Sequence, residues 1–109
     1  MEKVLREIAD AIRNALLGQT VVTGVRAIGT VYQNTTGRAI FVSVTAQGTL
    51  GNNLSALTDG ANPPTTTVKY VTAAVTNYGI PLDFIVLPGS YYKVTFPTGS
   101  LQVWTEWRI

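Results

Sequence analysis

The sequence predicts a mainly β chain: an antiparallel β-sandwich of six to eight strands, jelly-roll-like, preceded by one N-terminal amphipathic α-helix. Three observations carry this reading. Residues 39–47 alternate, with Ile40, Val42, Val44 and Ala46 on one face and Phe41, Ser43, Thr45 and Gln47 on the other, the period of two of a strand with one covered face. Beyond residue 67, short apolar runs recur at regular intervals between Gly, Pro and Asn turns, the spacing of sandwiches and barrels. Residues 2–17 instead repeat apolar side chains every three or four positions without Pro or Gly, which is the helical period.

The helix comes first. Val4, Leu5, Ile8, Ile12, Ala15 and Leu16 form its apolar face, Gly18 is a C-terminal stop, and Glu2/Arg6, Lys3/Glu7 and Arg6/Asp10 are pairs four apart. Met1, Leu5, Ile8, Ile12 and Ala15 follow a 4-3-4-3 spacing. In heptad terms Leu5 and Ile12 take a, and Ile8 and Ala15 take d. Isoleucine at both kinds of position favours three or four strands over two. Two readings stand open: the helix packs on its own β domain, or it associates with copies of itself. Two heptads are too few to hold a coiled coil alone in water. A membrane-surface helix is disfavoured, because the polar face balances three acids with three bases.

Residues 19–29 read as a connector, or as a short extended strand between glycines, and the β domain is expected over 30–109. Residues 30–33 and 39–47 flank the polar 34–38 loop as a β-hairpin would. Residues 48–67 are weakly structured by pattern, suggesting a functional loop or a short strand, and 54–57 fit either that strand or a single helical turn. Strands are then expected at 68–75, 82–87, 91–96 and 101–109. In the last of these, Leu101, Val103, Thr105, Trp107 and Ile109 oppose Gln102, Trp104, Glu106 and Arg108. A tryptophan on each face points to both faces being covered, one of them by a subunit interface or by the N-terminal helix, which makes Trp104 a candidate for packing between subunits.

The chain of 109 residues contains neither Cys nor His. That removes disulfides, thiolate metal sites and the commonest general base. No catalytic residue, cofactor or metal is expected, and the protein reads as a non-enzyme. Its eight basic residues are scattered and net charge is +2, so no nucleic-acid stripe is expected. No apolar run is long enough for a membrane span, and the mixed-charge start lacks the centre of a signal peptide. A protein made in the cytoplasm is expected.

Outside the helix the acids are Asp59, Asp83 and Glu106. Asp83 and Glu106 alternate with apolar neighbours as outward polar positions do, which argues against a catalytic carboxylate pair. Asp59-Gly60 lacks the alternating acids of a calcium loop and reads as a turn. Gly37-Arg38 is a hairpin corner before it is an anion site, and the sequon at Asn34 has meaning only in a secreted eukaryotic protein. Tyr78, Tyr91 and Tyr92 are candidate platforms for stacking on a glycan, together with the 48–67 loop. Sixteen threonines and sparse charge beyond residue 13 suit an external structural protein.

Three stretches carry a resemblance: Val31-Tyr32-Gln33-Asn34-Thr35-Thr36-Gly37-Arg38-Ala39-Ile40-Phe41-Val42-Ser43-Val44, then Phe84-Ile85-Val86-Leu87-Pro88-Gly89-Ser90-Tyr91-Tyr92-Lys93-Val94, then Trp104-Thr105-Glu106-Trp107-Arg108. They resemble a pattern of tailed-bacteriophage virion structural proteins, in small β modules of tail fibres, other appendages or head decorations. Ala39 stands where that pattern often has proline, and Leu87 where valine is common. The resemblance implies a non-enzymatic homo-oligomer, commonly a trimer, located in the virion and made in the host cytoplasm. It would contact other virion proteins and, in one reading, a host-surface glycan. Tail fibre, tail tip and capsid decoration or head fibre all fit. The candidate assembly residues are Leu5, Ile8, Ile12, Ala15 and Trp104.

Overall fold

A computed structural model describes residues 2–17, 19–21 and 25–108, with the backbone alone described at 10–17 and 19–21. The helix α1 (Glu2–Leu17) has the expected bounds. Eight strands follow: β1 (Gln19–Val21), β2 (Tyr32–Gln33), β3 (Ile40–Gln47), β4 (Asn53–Asp59), β5 (Thr67–Thr72), β6 (Ile80–Val86), β7 (Tyr91–Thr95) and β8 (Ser100–Arg108).

They form two antiparallel sheets of four, ordered β1-β8-β3-β6 and β2-β7-β4-β5. The pairings nest: β1 with β8, β2 with β7, β3 with β6, β4 with β5. A long hairpin rolled over on itself gives this arrangement, a jelly roll, in which β3–β8 and β4–β7 close each sheet. The predicted sandwich is therefore observed. Because β1 pairs on β8, the connector expected over 19–29 contributes a strand, and the sandwich begins before residue 30.

The expected hairpin between 30–33 and 39–47 does not form. Tyr32 and Gln33 pair with Tyr92 and Tyr91 in one sheet, while β3 lies in the other, its two edges taken by β6 and β8. Loop length alone permits a hairpin, but both edges of β3 have longer partners than the two-residue β2. Residues 34–38 cross between sheets instead. Residues 48–67 resolve into a full strand, β4, with loops at opposite ends.

The core lies between the sheets. Ile40, Val42, Val44 and Ala46 of β3 meet Leu54 and Ala56 of β4, Leu82, Phe84 and Val86 of β6, and Tyr92, Val94 and Phe96 at β7, all buried. The strict alternation of β3 thus places Ile40, Val42, Val44 and Ala46 inward, and burial of each Ile or Val contributes roughly 1.5–3 kcal/mol. At Gly48 a Cβ would stand 2.4 Å from Phe96 Cζ, so only glycine lets that ring close the core.

The predicted facing of the last strand needs a correction. The register with β3 shifts between Thr45 and Ala46, which pair with Val103 and Leu101. Gln102 is the extra residue of a β-bulge, and a bulge reverses parity. Leu101 and Trp104 therefore both reach the core, although sequence alternation puts them on opposite faces. Trp104 has no exposed surface. It cannot pack between subunits as expected, because this chain already encloses it.

Candidate functional site

Three local arrangements account for most of the residues singled out in the sequence. The first is the helix face. Val4, Leu5 and Ile8 are 52%, 60% and 52% exposed, so among the described residues this half of α1 keeps its apolar face open to solvent. The Glu2–Arg6 pair, at 3.8 Å, is solvent-exposed and adds little. The seam positions Ile12 and Ala15 lie outside the residues whose side chains are described.

The second arrangement is centred on Asn34, which is 1% exposed. Its Nδ2 donates to the carbonyls of Arg38 (2.7 Å), Val86 (3.2 Å) and Leu87 (3.2 Å). Its Oδ1 accepts from Thr36 N–H and Thr36 Oγ1, an Asx-type turn. The main chain joins in: Asn34 N–H donates to Ser90, and Gly89 N–H to Asn34. Gly89 can sit in this turn because its φ of +78° suits glycine. The two loop motifs of the resemblance thus meet at one end of the roll and bind each other. Burial makes the sequon a structural feature, and the Arg38 main chain is taken up by Thr36 and Asn34.

The third arrangement was not legible in advance. Glu106 faces inward, two residues beyond Trp104. Its Oε2 accepts from Tyr92 Oη (2.8 Å), Trp104 Nε1 (2.9 Å) and Arg26 Nε (3.3 Å), and Oε1 from Arg26 Nη2 (3.5 Å). The side chains of Arg26 and Glu106 are only 25% and 12% exposed. Arg26 also lies over the Tyr32 ring, 4.4 Å from its centroid, a cation–π contact. Tyr32 Oη accepts from Ala27 N–H at 2.7 Å. The rings of Tyr32, Tyr92 and Trp104 stand 5.8–6.5 Å apart. Burial and then the bond to Glu106 push the Tyr92 hydroxyl well above its ordinary range. At Arg26 burial opposes the charge, but Glu106 and Tyr92 outweigh it and raise the guanidinium. This cluster fastens the segment after β1 onto the sandwich. The expectation that Glu106 points outward is overturned: a local pattern cannot see a cation eighty positions away in sequence.

The acids do not converge. Asp83 stands beside Ser43 and Thr105 on the outer face, while Glu106 stands beside Val42 on the inner face, so they are on opposite sides of one sheet. Asp59 closes the 60–66 loop. Its oxygens accept from the main-chain N–H of Ala61, Thr65 and Thr66 at 2.8–2.9 Å, which holds its carboxyl well below the usual carboxylate range, the bonds from Thr65 and Ala61 leading. Among the described residues no three acids come together as a metal site would need, and no helix is long and apolar enough to cross a membrane.

Nor do the tyrosines form one platform. Tyr92 is 1% exposed and cannot touch a ligand, which corrects its candidacy. Tyr91 is half-buried beside Asp59 at one end of β4. Tyr78, 66% exposed, lies on the 73–79 loop at the other end, where Ala73 and Asn77 bond the 48–52 loop. The 48–67 stretch is likewise divided between the two ends. Comparison with protein-family models, curated proteins and solved structures finds no match.

Proposed function

We propose that this chain is a non-enzymatic bacteriophage virion structural protein that assembles as a homotrimer, with α1 as the assembly element and the jelly roll as the outward head. The observation that carries the reading is the exposure of Val4, Leu5 and Ile8 along one helix face. Exposed leucine and isoleucine at heptad positions are what a bundle would cover, each worth roughly 1–2 kcal/mol per chain when buried from this starting point. A seam of two heptads is short, so contacts between heads must add to it. The threonine-rich, charge-poor β surface and the resemblance of the three motif stretches support a virion appendage, with tail fibre and head decoration as its two settings.

The test is absolute mass by light scattering, in salt high enough to screen surface ion pairs. The full chain should weigh three copies, and Leu5→Asp/Ile8→Asp should fall to one. An unchanged mass in that variant would remove α1 from assembly.

A second reading has one observation in its favour. Tyr78 is exposed on a loop cluster, residues 48–52, 73–79 and 96–99, that carries no charged side chain. An uncharged surface with an open ring suits a neutral glycan. A glycan array read with wild type and Tyr78→Ala tests it, saturable binding lost in the variant being the expected result.

A further inference from the structure

The jelly roll leaves two strand edges side by side. β5 pairs with β4 alone, β6 pairs with β3 alone, and the two run next to each other without hydrogen bonds between them. Beside them there is a hollow of about 460 Å³, lined by Phe41, Val68, Lys69, Asp83, Phe84 and Ile85. Two features built it. The register of β4 with β5 shifts between Ala56 and Leu57, leaving Val68 as the extra residue of a bulge, and this brings Val68 to the same hollow as Lys69. On the other side, Phe41 and Ile85 are cross-strand neighbours on the outer face, with the Trp107 ring 5.6 Å from Phe41.

The hollow is lined by four apolar side chains and two charged ones of opposite sign. Val68 and Ile85 are 48% and 52% exposed. Lys69 and Asp83 carry opposite charges, yet neither makes an ion pair among the described residues. An unpaired cation and an unpaired anion on one patch are what an isologous contact needs, since a two-fold axis sets residue i against j and j against i.

We infer that this β5–β6 rim is a contact between two copies of the chain, in which Lys69 of each faces Asp83 of the other and Ile85 and Val68 cover each other's apolar hollow. The self-complementary charge selects a second copy over a foreign partner, whose surface would have to match both signs independently. The contact does not use α1. A two-fold at the rim combined with a three-fold at the helix would join trimers to one another, which suits a protein arrayed on a surface. Read singly, the same residues are guards: a lysine on one edge and Pro81 on the other are common devices against edge-to-edge pairing. The experiment separates the two.

The full chain carrying Leu5→Asp/Ile8→Asp, which isolates the rim from the helix, is weighed by light scattering at low salt over rising concentration. A dimer is expected. Adding Lys69→Asp, or adding Asp83→Lys, should halve the mass, and adding both together should restore it, because the reversed pair is again complementary. Circular dichroism should show the same fold throughout, since neither charge is paired within the chain. A monomer at every concentration would overturn the inference and leave the two charges as edge guards. A dimer indifferent to the single reversals, or one that the double reversal fails to restore, would overturn it as well. Survival of the helix trimer in parallel measurements on the wild-type background keeps the outcome separate from the fate of the assembly reading.

Discussion

Replacing Glu106 by Gln keeps the shape of the side chain and removes its charge, which makes it the sharpest probe of the cluster at Arg26. The amide oxygen can still accept from Trp104 Nε1 and Tyr92 Oη, now 2.9 and 2.8 Å from Oε2. Those bonds lose their charge assistance, which roughly halves them, at a cost of about 0.5–1 kcal/mol each. The new NH₂ points donors at Arg26, which has no acceptor to offer. The ion pair is lost as well. Because Arg26 is 25% exposed and can turn to water, that loss is discounted to about 1 kcal/mol.

The expected destabilisation of Glu106→Gln is thus about 2–3 kcal/mol, out of a total that for a domain of this size is roughly 5–15 kcal/mol. Urea denaturation followed by tryptophan fluorescence measures it without screening the ion pair, as a guanidinium salt would. A double-mutant cycle with Arg26→Met should return a coupling of about 1 kcal/mol. A loss under about 0.5 kcal/mol, or a coupling near zero, would refute the claim that this pair fastens the 25–31 segment to the roll.

Three further outcomes are expected. Asn34→Ala removes five side-chain hydrogen bonds and strands buried carbonyls, for a loss of about 3–4 kcal/mol and a fall in Tm of more than about 10 °C in a thermal melt. Asp59 has a depressed carboxyl pKa in the folded chain, so its stabilisation is present above the unfolded value of about 3.9 and is lost as pH falls below it. Asp59→Asn should be less stable at neutral pH and show a flatter acid limb when Tm is followed downward from pH 5. Tyr92 has the opposite sign, its folded pKa lying above the unfolded value of about 10. The stability it contributes is present below that pH and drains away above it, so Tyr92→Phe should make the alkaline limb of the same profile shallower.

How much of this was legible in the sequence depends on the range of the signal. The bounds of α1 and the two-faced alternation of β3 are local, set by spacing within a dozen residues, and both are as expected; that the Ile40 face is the inward one is read from the fold. At 54–57 the pattern shows a break in a polar stretch that fits a strand or a helical turn, and the fold decides for a strand running from Asn53 to Asp59. The failures are non-local. The parity of Trp104 turns on the Gln102 bulge, which no side-chain pattern announces. The partner of β3 is decided by β6 and β8, more than thirty residues downstream, and not by the loop next to it. Glu106 looked solvent-facing because polar residues in strands usually are. What overrides that rule is Arg26, held over Tyr32 by a segment the sequence showed only as a connector.

The same distinction bears on what the motifs mean. Asn34 of the first stretch, braced by Thr36, closes onto Gly89 and Ser90 of the second, while Trp104 and Glu106 of the third are tied to each other and Glu106 to Tyr92 and Arg26 inside the roll. Every polar group named there is engaged within the chain. The pattern is therefore a signature of how this jelly roll closes, and changing its residues should act through stability. What the fold leaves facing outward is different in kind: the apolar face of α1, the rim where Lys69 and Asp83 make no ion pair among the described residues, and the uncharged loops around Tyr78. None of these is needed to fold the sandwich, and exposed apolar side chains have a solubility cost when left uncovered. On the assembly reading proposed above, substitutions there should alter the mass in solution and change the melting temperature only through the loss of oligomer contacts, an effect that grows with protein concentration, while the monomer's own fold is kept.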